Sequence, residues 1–345
     1  MKPWIKNLIQ FLIGLGLAST LLYYTYKDTD LGELTEIIKQ ADWFWFSMNG
    51  VLLLLSYVLR ALRWQILIHS SGYKVRTSST IVAVMLSYLV NTFTPRLGEI
   101  ARCSALYKTD RVPVATGFGT VFVERVIDLL VLALGVGIIF IFEVDRLLEI
   151  WANTQSAASG TEGGGISLTL VFGVLGVLAL GGLLGLRWLL NTKHETGIIA
   201  KLRNFFQQMI DGAKSVLKLE RPWYFLLLTA LIWIDLIYMF YVILLALPET
   251  AEMGVYMGTL LLFIGGIGWA LPTPGGMGST HLIVRELFKV FGYSALLGNV
   301  VGALSNGATT VFTILIGIFA LIYFFSIKTV EQPENQASTP VDSLS

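Results

Sequence analysis

The chain has 345 residues, 55% of them apolar and only 14% charged, with a net charge of +1 and a mean hydropathy of +0.71. A soluble domain carries about 25% charged residues, so this composition excludes one and makes the bilayer the solvent of the fold. The near-neutral charge gives no electrostatic basis for a nucleic-acid partner, and the single cysteine, Cys103, excludes an intrachain disulfide.

The first apolar run extends from Leu8 to Tyr26 behind Lys2 and Lys6. It has the outline of a signal peptide, but it is long and ends in Leu-Leu-Tyr-Tyr rather than at a small-residue cleavage site. It reads as a retained helix. Six segments in all reach the ~20 apolar residues needed to cross a bilayer: 5–26, 43–68, 114–142, 166–190, 223–247 and 295–326. Between them lie two interrupted apolar regions, 81–112 and 254–291.

Basic residues orient the spans. Lys193, Lys201, Arg203, Lys214, Lys218 and Arg221 make 191–221 cytoplasmic, and Arg60, Arg63, Lys74 and Arg76 put the end of the second span inside. The segment 27–42 holds Asp28, Asp30, Glu33, Glu36 and Asp42 against Lys27 and Lys39, 143–165 has only Arg146, and 248–253 has Glu249 and Glu252 with no base. These three fit outside. Region 81–112 must then start and end inside, and 254–291 must start and end outside. Each is expected to dip into the membrane and return, from opposite faces, as in an inverted repeat. Eight simple spans are the alternative. The expected fold is an all-α polytopic membrane protein with about six full spans and two oppositely oriented re-entrant helical hairpins. Residues 1–328 form one membrane domain, and 329–345 read as a disordered cytoplasmic tail. Residues 153–165 read as a flexible external loop. In 198–218, Ile198, Leu202, Phe205, Phe206, Met209 and Ile210 give an amphipathic helix that lies on the inner leaflet or packs on the protein's own cytoplasmic face. Trp43, Trp45, Trp223 and Tyr224 sit at span ends, where aromatic belts are expected.

The interrupted regions carry the chemistry. A break in a membrane helix leaves backbone groups that only protein or a polar cavity can satisfy. The first break reads Asn91-Thr-Phe-Thr-Pro95-Arg96-Leu-Gly98-Glu99-Ile-Ala-Arg102. Arg96, Glu99 and Arg102 are spaced by three and share a face if a helix restarts there. They form either an anion site, with Glu99 orienting two phosphate-binding arginines, or a self-neutralising cluster that fixes the hairpin. The following span carries Glu124, Arg125 and Asp128. Two carboxylates four residues apart in low dielectric call for an arginine between them, supplied by Arg125 or Arg96. They line the cavity, couple protons, or form a ligand-free salt-bridge network. In the second break, Pro272, Pro274, Gly275, Gly276 and Gly278 keep the backbone bare, and Ser279 is expected to cap the half-helix 280–291. The N-terminus of that half-helix would seat a phosphate, with His281 and Arg285 on its face and Glu286 alongside. The other reading is a close-packed glycine hinge. Asp235, in the middle of the fifth span, bonds a neighbouring helix or lines the cavity. HExxH, GxSG and P-loop patterns are absent, and three histidines with one cysteine make a dedicated zinc site unexpected. No cofactor or metal is expected.

Asn91…Pro95-Arg96-x-Gly98-Glu99-x-x-Arg102, then Glu124-Arg125-x-x-Asp128, then Pro272-Thr-Pro274-Gly275-Gly276-x-Gly278, in that order, resemble the lysylphosphatidylglycerol synthase transmembrane region. This family is also called flippase-like, or UPF0104, and the resemblance covers roughly 5–326. In the multidrug-resistance peptide-resistance factors, the region resembles a flippase for aminoacylated phosphatidylglycerol, beside a synthase domain that this chain is expected to lack. Other stand-alone members are associated with polyprenyl-linked sugars or hopanoids. The resemblance implies a lipid translocator in a bacterial inner (plasma) membrane, with both termini cytoplasmic. Its substrate would be an anionic or aminoacylated phospholipid, or a polyprenyl-linked lipid. Arg96, Arg102 and Arg285 would neutralise the phosphate, and Glu99, Glu124 and Asp128 would set the arginines or read a cationic headgroup. A separate synthase or glycosyltransferase and a homo-oligomer are the expected partners. Two other readings stand: a transferase on a lipid-linked substrate, with Asp28, Asp30 or Glu124 as base, or a non-transporting scaffold for a partner synthase.

Overall fold

The computed structural model describes residues 3–94, 97–143, 219–270 and 273–327. The expected span at 166–190, the loop 153–165, the basic stretch and amphipathic helix within 191–218, the tail 329–345, and Pro95, Arg96 and Pro272 lie outside the described residues. All regular structure among the described residues is helical.

In chain order the helices are α1 (Pro3–Tyr26), α2 (Leu31–Lys39), α3 (Trp43–Ser70), α4 (Thr77–Phe93), α5 (Gly98–Asp110), α6 (Val114–Phe142), α7 (Pro222–Leu245), α8 (Gly254–Ala270), α9 (Ser279–Val290) and α10 (Ala295–Ser326). Their ends follow local chemistry. Asp30 caps α2 by accepting from the Gly32 and Glu33 amides, Asp42 caps α3 through Phe44, and Ser294 caps α10 through Leu297. Pro222 opens α7 at a position where its missing N–H costs nothing. Arg111, in the left-handed conformation at φ 58°, ends α5 two residues before Pro113.

Helix α2 lies in the acidic segment 27–42. One side of it, Leu34, Ile37 and Ile38, packs on a large apolar cluster. Among the described residues, five stretches are long and apolar enough to cross a membrane: Trp43–Ser70, Val114–Phe142, Pro222–Leu245, Ala251–Gly268 and Ala295–Ser326. The chain is an all-α polytopic membrane protein. Trp43 and Trp223 are exposed at the N-terminal ends of α3 and α7.

Two apolar clusters mark the ends of the bundle. At one end, Ala41, the Ile243–Leu247 turn, Met257, Phe288 and Leu297 pack together, and the Asp42 amide donates to the Ala246 carbonyl. At the other, Ile68, Val75, Leu106 and Val112 pack together, Arg76 pairs with Asp110, and Lys108 lies over Phe324 and Phe325. The α4–α5 hairpin therefore opens at the second end and the α8–α9 hairpin at the first. Their arms are 12 to 17 residues long, about 18–25 Å each at 1.5 Å per residue. The hairpin tips meet inside the bundle. A side chain at Gly275 would lie 3.9 Å from the Thr92 carbonyl oxygen, and Asn306 of α10 donates to the Gly275 carbonyl at 2.9 Å.

Long helix α10 supports both hairpins. Gly298 and Gly302, four residues apart, let α9 approach so closely that a Cβ there would stand 2.8 Å from Arg285 Cα and 3.3 Å from His281 Cα. This small-xxx-small seam is how membrane helices gain contact where no hydrophobic drive separates them from lipid.

Candidate functional site

The first break is held by Asn91. Its Oδ1 accepts from the Gly98 amide at 2.8 Å across the turn, satisfying a donor at the start of α5. A Cβ at Gly98 would press on the Ser87 carbonyl oxygen and lie 2.5 Å from the Asn91 amide group, so only glycine lets α5 fold back on α4. From Gly98 onward, α5 turns Glu99 and Arg102 toward α6, whose Glu124, Arg125 and Asp128 face them.

A layer of charge results, built from α3, α5 and α6. Arg102 Nη2 donates to Glu124 Oε2 at 2.7 Å, and its guanidinium lies 4.6 Å from the Trp64 ring centroid. Trp64 is held in turn by an Nε1–H bond to Thr120. Arg63 of α3 lies between the two carboxylates of α6. It donates to both oxygens of Asp128, at 2.8 and 3.0 Å, and its Nε is 3.5 Å from Glu124 Oε1. Its side chain is 1% exposed and that of Glu124 is 3% exposed. Such burial is tolerable only because each charge is paired. The arginine expected between Glu124 and Asp128 was Arg125 or Arg96; the structure puts Arg63 there. Arg125 touches Asp128 only at 3.9 Å, with its other nitrogen 3.6 Å from Glu99. Neither Glu99 nor Arg102 is tied to the other: both reach across to α6.

The remaining arginine, Arg60, lies one helical turn before Arg63. Its Nη1 is 3.7 Å from Asp128 Oδ2, the oxygen that Arg125 also faces, and its guanidinium stands 5.8 Å from the Tyr88 ring centroid. Among the described residues, neither Arg60 nor Arg125 donates a hydrogen bond to the protein. Among the described residues the layer thus holds four guanidiniums (Arg60, Arg63, Arg102, Arg125) against three carboxylates (Glu99, Glu124, Asp128). Two of the four are bonded into the walls, and two flank one oxygen. Sequence reasoning used Arg60 and Arg63 only as orientation markers. The signal it missed was depth: they stand ten and seven residues before the end of α3, about 10–15 Å inside it, too deep for flanking charges.

The second break builds differently. Gly278, at φ 81°, occupies the N-cap position of α9, where Ser279 was expected. The Ser279 hydroxyl instead donates back to the Gly268 carbonyl at 2.8 Å and lies 2.9 Å from Thr273 Oγ1, tying α9 to α8. Pro274 and Gly276 are buried, and a Cβ at Gly278 would lie 2.6 Å from the Ala18 carbonyl oxygen of α1. His281 and Arg285 both face α1. The Tyr26 hydroxyl bridges His281 Nδ1 at 3.3 Å and the Asn299 carbonyl at 3.1 Å. Arg285 Nη1 donates to the Tyr24 and Thr25 carbonyls at 3.1 and 3.0 Å, closing the C-terminal end of α1, and its Nε lies 3.7 Å from Glu286. The sequence-derived residues thus fall into two groups. Glu99, Arg102, Glu124, Arg125 and Asp128 share the charged layer beside Asn91. His281 and Arg285 share the α1–α9 seam beyond Pro274, Gly275 and Gly276. Among the described residues, no three His, Cys, Asp or Glu side chains converge in a manner that could hold a metal ion.

A helical bundle with two broken hairpins meeting over buried guanidinium and carboxylate groups defines a multi-pass membrane protein with a charged interior. The chain belongs to the family described as Lysylphosphatidylglycerol synthase TM region, which matches residues 11–317. Among curated proteins it is similar to Glycosyltransferase AglD of Haloferax volcanii, 24% identical over 306 residues, which is 81% of this chain and 48% of that protein. It is also similar to UPF0104 membrane protein MJ1595 of Methanocaldococcus jannaschii, 27% identical over 101 residues, 28% of this chain and 30% of that protein. The chain spans less than half the length of either relative. No solved structure matches it significantly.

Proposed function

We propose that the chain translocates a lipid with a phosphate headgroup, or a lipid-linked intermediate, and that the headgroup binds between Arg60 and Arg125. The observation that carries this reading is the state of those two side chains. Both flank Asp128 Oδ2, and neither is hydrogen-bonded to another described residue. The Arg125 side chain is 47% exposed, although it lies eleven residues into α6, about 17 Å along it, between exposed Phe122 and Leu129. A guanidinium at that depth is costly against lipid tails and is stable against an anion or water. Two adjacent guanidiniums suit the oxygens of a phosphate.

Arg63, Arg102, Glu124 and Asp128 form the rigid wall behind the headgroup. Glu99 sets Arg125 or meets a cationic aminoacyl group. The α4–α5 and α8–α9 hairpins are read as re-entrant from opposite faces, with Pro274, Gly275 and Gly276 as the opposing tip and His281 and Arg285 on the outer side. The bases Arg76, Lys108, Arg111 and Arg221 mark the cytoplasmic end. On this reading both termini face the cytoplasm of a bacterial inner membrane, where a separate synthase or glycosyltransferase would supply the lipid and the chain would act alone or as a homo-oligomer.

Headgroup photocrosslinking tests the site. Phosphatidylglycerol bearing a photoreactive headgroup should label residues within 97–128, and the labelling should fall in Arg60→Ala and Arg125→Ala. Labelling scattered over the exposed apolar faces of α6 and α10, and unchanged in both variants, would overturn it. The name of the archaeal relative favours a second reading, a transferase acting on a lipid-linked donor. Against it, Asp30 is engaged as a helix cap and Glu124 in arginine pairs. Product formed by the purified chain from such a donor would establish it.

A further inference from the structure

Asp235 is the one charged residue of α7, and it lies at the middle of that helix, 5% exposed. Neither of its carboxylate oxygens has a hydrogen-bond partner, whereas Glu124 and Asp128 are each bonded to an arginine. Its polar neighbours are Ser56, close enough for its hydroxyl to interact with the carboxylate, and Arg60, both on the stretch of α3 that runs along α7 between the Asn49–Met239 and Arg63–Thr229 contacts. Among the described residues, the other elements packed against α7 are α8, α10 and the turn Ala251–Met253; α8 and α10 contain no Asp, Glu, Lys, Arg or His, and Glu252 of the turn lies beyond the C-terminal end of α7. Among the described residues, the charged groups nearest Asp235 are therefore those of α3: Arg60, and Arg63 one turn beyond it, which is already bonded to Asp128.

This changes the charge count of the layer. With Asp235 neutral, four guanidiniums oppose three carboxylates, and the excess positive charge falls on the loosely held Arg60 and Arg125. With Asp235 ionised, its charge sits beside Arg60 and the excess is cancelled. An isolated carboxylate in a water-poor interior favours the neutral acid unless a cation compensates it. The same arginine thus serves either the Asp235 carboxylate or an external anion, but not both equally.

We propose that Asp235 is a proton-binding site coupled to the headgroup site, so that one proton is taken up when one phosphate headgroup binds to Arg60 and Arg125. The step moves a proton from water onto the Asp235 carboxylate and breaks no other bond. It gives translocation a chemical driving force, because a headgroup carried with its proton moves as a neutral pair and responds to a pH difference across the membrane. The coupling rests on the reading of Arg60 and Arg125 as a headgroup site. Linkage makes it reciprocal: the anion raises proton affinity by the same factor by which the proton raises anion affinity. Where Asp235 is ionised in the free protein, headgroup affinity should fall by about tenfold per pH unit, the slope of a one-proton exchange.

The test is calorimetric titration of the detergent-purified full chain with dihexanoyl phosphatidylglycerol, whose phosphodiester stays ionised throughout, in buffers of different ionisation enthalpy. The wild type should take up about one proton per lipid bound. Asp235→Asn, which mimics the neutral acid, should bind the lipid with no uptake and no pH dependence. Binding without proton uptake in the wild type would refute the coupling and leave the headgroup site standing. So would equal uptake in Asp235→Asn. No binding to the wild type at any pH would remove the headgroup site, and the coupling with it.

Discussion

Arg63 and Arg125 both touch Asp128, but they should respond in opposite ways to truncation. Arg63 makes two hydrogen bonds to Asp128, at 2.8 and 3.0 Å, a longer one to Thr229 at 3.4 Å, and a 3.5 Å contact with Glu124, all with its side chain 1% exposed. In Arg63→Ala, Glu124 keeps Arg102, but Asp128 keeps only contacts of 3.7 and 3.9 Å. Removing one partner of a buried pair costs about 3–5 kcal/mol, because the other charge stays buried. Arg125→Ala removes contacts of 3.6 and 3.9 Å from a half-exposed side chain, worth about 1 kcal/mol or less. Thermal unfolding of the two variants in one detergent, followed by tryptophan fluorescence, should show a large loss for Arg63→Ala and a small one for Arg125→Ala. Arg63→Lys should recover part of the loss, since an ammonium keeps the charge but cannot span both Asp128 oxygens. Headgroup crosslinking should show the reverse order among folded protein, with Arg125→Ala losing more. If Arg63→Ala unfolds at the wild-type midpoint, or Arg125→Ala is the less stable variant, the division into wall and ligand arginines is wrong.

Gly98→Ala would drive a methyl into the Ser87 carbonyl and the Asn91 amide. Overpacking of this kind costs about 1–3 kcal/mol, so its unfolding midpoint should fall, and by more than that of Gly119→Ala, which meets open space. Arg285→Ala frees the Tyr24 and Thr25 carbonyls. The end of α1 should loosen, and trypsin should cut after Lys27 faster than in the wild type. Headgroup crosslinking within 97–128 should change little. A wild-type cleavage rate would show that α1 is held by its apolar contacts alone.

Much of this arrangement was legible in the sequence, for identifiable reasons. The breaks at Pro95 and Pro274 interrupt runs that are otherwise uniformly apolar, and charge inside such runs marks Glu99, Arg102, Glu124, Arg125 and Asp128 because the membrane tolerates so little of it. Partners were another matter. Arg63 and Asp128 are 65 residues apart, and Arg285 and Tyr24 are 261 apart. No local pattern encodes which arginine turns toward which carboxylate. Helix α2 was hidden because its acids read as external charge, although Asp30 is its cap and Leu34, Ile37 and Ile38 form its partly buried, packed side. The Ser279 cap failed for a similar reason. A serine before an apolar run usually caps it, but here the positive φ of Gly278 turns the chain into the helix and leaves the hydroxyl to serve the preceding helix.

The most direct test of the central claim is lipid movement in proteoliposomes. The purified chain would be reconstituted with a trace of headgroup-labelled phosphatidylglycerol, and the label reachable by an impermeant quencher would be measured with and without an acid interior. Bleaching beyond the outer-leaflet half in the wild type, falling to that half in Arg125→Ala protein that remains folded, is the result expected. Bleaching beyond the half that is equal in wild type, Arg60→Ala and Arg125→Ala would contradict the account, because lipid would then cross by a route that does not use the arginines.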